Sequence, residues 1–265
     1  MRFSALLLAC LAVTAVAAAD PAQLSRARAM HNARQFDEAI AAATAARATP
    51  ETADAAAVVL ARAHLERYRL AEDPADLGAA REALGAVRAD VLDEHDRIDF
   101  LLALGVSLYL EDDFGAAAEL FESALLTTRG ARPETREAVL EWLGGATERR
   151  VATASAEVRR AHFARVARRF EDELAATPGS RAAAYWLVAS LRGEGALERA
   201  WDAAVAAWVR ARLAGPGAAN LRADLDTLVL DGLIPDLIRV GPADGREARA
   251  SELRAEWELV KQKWR

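Results

Sequence analysis

The chain has 265 residues, 53% of them hydrophobic and 28% charged, with a net charge of −6 at pH 7. That supplies enough apolar mass for a sizeable core, and a mildly acidic balance with interspersed signs leaves no electrostatic footprint for nucleic acid. The single cysteine, Cys10, excludes a disulfide framework and a cysteine-based metal site.

Residues 1–19 fit a secretory signal: Met1 and Arg2, an apolar run from Phe3 to Val16, then Ala17-Ala18-Ala19 before Asp20-Pro21. Cleavage is expected after Ala19, giving an exported chain, periplasmic or secreted, with 33 basic and 40 acidic residues. The same segment also reads as a lipobox, Leu7-Leu8-Ala9-Cys10, which would instead make Cys10 an acylated first residue. The run is shorter than the roughly 18 uninterrupted apolar residues of a membrane span, and no other stretch approaches that length. No transmembrane segment is expected in the mature chain.

Helical periodicity then covers about 22–33, 37–48, 52–70, 75–90, 94–110, 114–128, 135–149, 155–176, 181–193 and 197–213, with no strand-like alternation. Four sets of apolar or small residues recur at steps of three, four and three, which puts each set on one helical face. They are Phe36, Ala39, Ala43, Ala46; Leu77, Ala80, Leu84, Val87; Phe114, Ala117, Phe121, Ala124; and Leu197, Ala200, Ala204, Ala207. Pro50-Glu51-Thr52 and Pro133-Glu134-Thr135 suit a first helical turn, and Asp73-Pro74 and Pro178-Gly179-Ser180 mark further starts. Asp113 is placed to cap a helix beginning at Phe114. The pattern breaks at Gly215-Pro216-Gly217. Beyond it lie a helical stretch, Ala218 to Val240, interrupted at Ile234-Pro235, and a final helix with Leu253, Trp257, Val260 and Trp264 on one stripe.

Leu101, Leu104, Gly105, Leu108, Phe114, Ala117, Phe121 and Ala124 stand at the spacing of a tetratricopeptide repeat (TPR), and residues 22–213 resemble that family of bacterial exported and other proteins. The resemblance implies an all-α, right-handed helix-pair solenoid: about five pairs over 20–213, the fourth degenerate, and a C-terminal helical cap over 218–265. It implies a non-catalytic scaffold for protein–protein interaction in the cell envelope, with a protein or extended peptide on the concave face lined by the first helix of each pair. Carried onto this sequence, those positions are Arg28, His31 and Asn32; Arg62 and Glu66; Leu102, Val106 and Tyr109; Glu141, Glu148 and Arg149; and Tyr185 and Arg192. Where peptide-clamp members place Lys and Asn in the first unit, this chain has Leu24 and Arg28. A soluble carrier of a lipid, glycan or peptide is the alternative, and a hydrolase a further one.

Residue chemistry adds little to an enzyme reading. His31, His64, His95 and His162 fall in different phases with no metal-ligand pairing, and no phosphate loop, nucleophile elbow or calcium loop occurs. No cofactor or metal site is expected. Gly144-Gly145 is explained by close helix crossing. Trp186, Trp201 and Trp208, with Trp257 and Trp264, form either a core joining the last pair to the terminal helix or a stacking platform.

Overall fold

The computed structural model describes residues 13–128 and 132–265, and every regular element among them is helical. Cys10 and most of the expected signal segment lie outside the described residues. Two compact units divide the chain, residues up to Thr127 and residues from Thr128 onward.

The first unit contains α1 (Val13–Asn32), α2 (Phe36–Ala46), α3 (Ala53–Ala71), α4 (Pro74–Gly85), α5 (Glu94–Leu110) and α6 (Phe114–Thr127). The helices pack in adjacent pairs, α1 on α2, α3 on α4 and α5 on α6, and α1, α3 and α5 also pack in succession. The recurring small residues explain why the pairs close so tightly. Ala39, Ala43, Ala46, Ala80, Ala117 and Ala124 are all fully buried, and so is the Phe121 ring beside them. Leu77, Val87 and Phe114, at the ends of their sets, are only half-buried. A Cβ on Gly105 would overlap the Phe121 ring, so this glycine lets α5 and α6 approach. Ala117→Leu is therefore expected to cost about 1–3 kcal/mol by overpacking. Urea denaturation checks it, and an unchanged midpoint would put the crossing elsewhere.

Helix starts follow capping chemistry. Asp73 accepts from Ala75 N with Pro74 in the first turn, Asp93 accepts from Asp96 N at 2.7 Å, and Asp113 accepts from Ala116 N. Pro50-Glu51-Thr52 differs from the expectation: it forms a turn, and α3 begins only at Ala53. Thr52 Oγ1 donates to Ala46 O at 2.6 Å, bending the chain back onto the end of α2 before the new helix can start. α4 also stops at Gly85, short of residue 90, because Asp54 of α3 takes the backbone N–H and guanidinium of Arg88.

The second unit contains α7 (Pro133–Val151), α8 (Ala156–Ala176), α9 (Arg181–Glu194), α10 (Leu197–Arg210), α11 (Ala218–Leu228), α12 (Ile234–Val240) and α13 (Arg246–Lys263). α8 packs on α9 and α9 on α10, while α7, α9 and α11 also pack in succession. Pro133 starts α7 as expected, and Ser155 and Ser180 cap α8 and α9 through Val158 N and Ala183 N. Phe163, Val166, Phe170 and Leu174 of α8 are buried, but Val158, in the first turn, is 45% exposed. The break at Gly215 is a 3₁₀ segment, Ala211–Gly217, kinked where Gly215 takes φ +57°. Upstream of Pro235 the helix widens into a π-type turn over Val229–Leu233, which adapts the hydrogen-bond register to the missing proline N–H.

The terminal helix docks through an indole cluster. Trp257 is fully buried, with its ring 6.1 Å from that of Trp201 and 5.4 Å from that of Trp208 in edge-to-face contact. Its Nε1 donates to Asp226 at 2.7 Å, and Lys261 reaches the same carboxylate at 2.9 Å. Leu253 is buried and Val260 half-buried. Trp264 departs from the expected stripe: the helix ends at Lys263, so its ring leaves the helical phase and stays 36% exposed.

Candidate functional site

In the first unit the expected contact residues are mostly engaged in packing. Leu102 and Val106 are buried at 7% and 6% exposure, which corrects their assignment to a partner-facing surface. They turn inward because α5 is covered by α3 as well as by α6. Arg28 donates to both carboxylate oxygens of the buried Asp96 at 2.6 and 2.7 Å, and Arg62 pairs with Asp99, so two of the expected groove cations tie α1 and α3 to α5. Glu66 pairs with Arg69 at 2.9 Å, Tyr109 meets Phe114 edge-on at 5.1 Å, and Asn32 is exposed. On α3, Asp76 of α4 is held by Arg67 at 2.5 Å and by His64 Nδ1 at 2.7 Å, again a structural use of charge.

His31 stands apart from these pairs. Its ring meets Phe36 at 5.8 Å, its Nε2 is buried without a hydrogen-bond partner, and burial lowers its pKa to about 4, with Arg62 acting in the same sense. Glu66, the Asn32 side chain and Asp99 oppose that shift. Because the folded value lies below that of the free side chain, 6.5, the stability from neutral His31 is complete above pH 6.5 and is lost as pH falls toward 4. His31→Gln is expected to flatten the fall in stability across that window, measured by denaturant midpoints at stepped pH. An unaltered slope would place the proton uptake on another group.

The second unit brings candidate residues together. A cleft of about 1050 Å³ opens between α7, α9, the 3₁₀ segment and α11, with Glu141 and Tyr185 in its lining. The i, i+3, i+7 spacing of Glu134, Glu137 and Glu141 puts three carboxylates on one face of α7, and Asp224 of α11 adds a fourth. Glu137 is committed to structure: its Oε2 accepts the backbone N–H groups of Arg181 and Ala182 at 3.0 Å each, capping α9. Arg181 is the one cation in the lining, 4.0 Å from Glu137 and lying against Gly217.

The aromatic wall is Tyr185 and Trp186, edge-to-face at 5.2 Å. Trp186 is 7% exposed, and its buried Nε1 makes no hydrogen bond of good geometry, with the Glu141 carboxylate the acceptor it leans toward. Its indole sits where Gly144 has no side chain, since a Cβ there would overlap the ring, so the close crossing expected at Gly144-Gly145 is between α7 and α9. Partial loss of solvent raises the pKa of Glu141, which is exposed at the edge of the cleft; Asp224 and Glu137 add to this, while the Trp186 N–H and Arg181 pull the other way. Tyr185 is also raised, by burial first and then by Glu148, Asp224 and Glu141, with Arg192 opposing. Arg192 itself pairs with Asp236 at 2.6 Å, and Glu148 and Arg149 are exposed farther along α7.

Sequence reasoning missed Asp224 and the approach of the Trp186 N–H to Glu141. Asp224 lies in the block after Gly215, where no repeat pattern gives a register, and Trp186 reads as core because most of its ring is core. Among the described residues, no group of three or more His, Cys, Asp or Glu side chains is placed to hold a metal ion, and no helix is long and apolar enough to cross a membrane. In comparisons with known proteins, no family model, curated protein or solved structure matches this chain.

Proposed function

We propose that this chain is an exported, non-catalytic helical-repeat scaffold of the TPR kind, which binds a protein or extended peptide in the cell envelope. In this reading the helix pairs form a right-handed solenoid over 20–213, closed by a cap over 218–265. The observation that carries it is the cleft along α7, α9 and α11. Glu141 and Tyr185, two residues that the repeat resemblance assigns to partner contact, stand together there beside polar and aromatic neighbours in a space of ligand size. The succession of α1, α3 and α5, and of α7 and α9, supports the same reading, since stacked first helices create a continuous face.

The test is affinity capture from envelope extract with the mature chain, alongside Tyr185→Ala. A discrete protein retained by the first and lost with the second is the expected result. A lipid or glycan carried through purification, with no protein retained, would overturn the scaffold in favour of a carrier. N-terminal sequencing of the native protein reports on export: a chain beginning at Asp20 is expected, and an acylated Cys10 would move the scaffold to a membrane surface.

A further inference from the structure

We infer that the corner where the end of α13 meets the 3₁₀ segment and the start of α11 is a docking surface for a bilayer of anionic phospholipid. This goes beyond the scaffold reading and does not depend on what the cleft holds. Charge is segregated here against the sign of the whole chain, which is −6. From Ala203 to Ala223 the sequence carries Arg210, Arg212 and Arg222 and no acidic residue, and from Leu259 to Arg265 it carries Lys261, Lys263 and Arg265 and again none. The fold joins the two runs: Arg212 Nη2 donates to Arg265 O at 2.5 Å, and Arg222 Nη2 donates to Trp264 O at 2.9 Å. Both bonds go to main-chain oxygens. Lys261 is spent on Asp226 and Glu258, but the other five cations meet no side-chain carboxylate among the described residues.

The second, independent observation is apolar. Leu213 and Leu259 are each 64% exposed and Trp264 is 36% exposed, so three of the eight exposed large apolar side chains among the described residues belong to this corner. Leu213 follows Arg212, Leu259 stands one turn before Lys263 on the same face of α13, and Lys263 Nζ lies 5.6 Å from the centre of the Trp264 ring. An indole and aliphatic side chains set among lysine and arginine make an interfacial anchor: the apolar groups enter the boundary of headgroups and acyl chains while the cations pair with phosphates. A folded acidic partner would have to match the cations in position. Arg212, Lys263 and Arg265 are exposed, and no carboxylate orients them, an arrangement that a fluid array of phosphates accommodates without such a match. No described helix is long and apolar enough to cross the bilayer, so the contact is with its surface.

The experiment is co-sedimentation of the mature chain, which lacks Cys10 and the apolar residues 3–16, with vesicles of phosphatidylcholine alone or with about 30 mol% phosphatidylglycerol. Binding to the anionic vesicles is expected to be about tenfold or more tighter than to the neutral ones, and to weaken as salt is raised. Lys263→Glu with Arg265→Glu should lower the affinity about tenfold or more at unchanged melting temperature. Leu213→Ser with Trp264→Ser should lower it as well while leaving the salt dependence as it was. Arg160→Glu with Arg168→Glu, also exposed but on α8, should leave it unaltered. In the parent chain, brominated acyl chains should quench part of the tryptophan emission, and Trp264→Phe should abolish that quenching, a readout that depends on no charge-reversed variant. Equal binding to the two kinds of vesicle, binding to neither, or a loss with the α8 variant as large as with Lys263→Glu and Arg265→Glu would overturn the inference. Salt-sensitive self-association without vesicle binding would overturn it in favour of a second copy of the chain as the occupant. The scaffold is read separately, from the extract capture.

Discussion

Trp257→Ala is expected to destabilise the second unit by about 3–5 kcal/mol, the range for truncating a large buried aromatic. The indole is fully buried and meets two other indoles edge-on, so truncation leaves a cavity walled by Trp201 and Trp208 that rigid rings cannot readily close. The polar side of the change is smaller. Asp226 loses the Nε1 donor at 2.7 Å but keeps Lys261 at 2.9 Å, so its charge is not left alone. Trp257→Phe should therefore cost much less than the alanine change, since it retains most of the apolar contact. Urea denaturation followed by far-UV circular dichroism separates the two. A loss below about 1 kcal/mol for the alanine variant would mean that α13 is not anchored through this indole.

Helix positions were legible in the sequence because they depend on local rules. Asp73-Pro74, Asp113, Pro133 and Ser180 all mark helix starts in the structure, and the alanine faces of α2, α6 and α10 are buried as their spacing requires. Pro50-Glu51-Thr52 shows the limit of such rules. The same tripeptide type opens α7 but forms a turn before α3, because Thr52 finds the Ala46 carbonyl, a contact set by the end of the preceding helix. The site was less legible for a related reason. A repeat register says which side of a helix faces a groove, not which charges are already spent, and Arg28 and Arg62 are spent on Asp96 and Asp99. Leu102 and Val106 were assigned outward by the register, yet α3 and α6 both press on α5 and bury them. Glu141 and Tyr185 were legible because α7 and α9 keep the repeat spacing. Asp224 was not, because α11 follows the kink at Gly215, past the point where any periodicity carries phase across the chain.

Arg136→Met is expected to cost about 3–5 kcal/mol in the second unit, because it leaves a buried carboxylate without its partner. Glu173 of α8 is 4% exposed, and the guanidinium of Arg136 on α7 grips it side-on, Nε to Oε1 at 2.8 Å and Nη2 to Oε2 at 2.5 Å. The same guanidinium donates from Nη1 to Thr128 Oγ1 at 2.9 Å, and Thr128 is fully buried. Removing the cation alone therefore strands an acid in a region sealed from water. Removing both charges is a different matter, since the desolvation of a buried pair offsets much of its attraction. Arg136→Met with Glu173→Met should recover most of the loss and end within about 1–2 kcal/mol of the parent. The non-additivity of the two single changes and the double is the measurement, read from urea midpoints of all four proteins. If the double variant is as unstable as the sum of the singles, the pair is not acting as a unit, and the α7–α8 contact is held by its apolar residues instead.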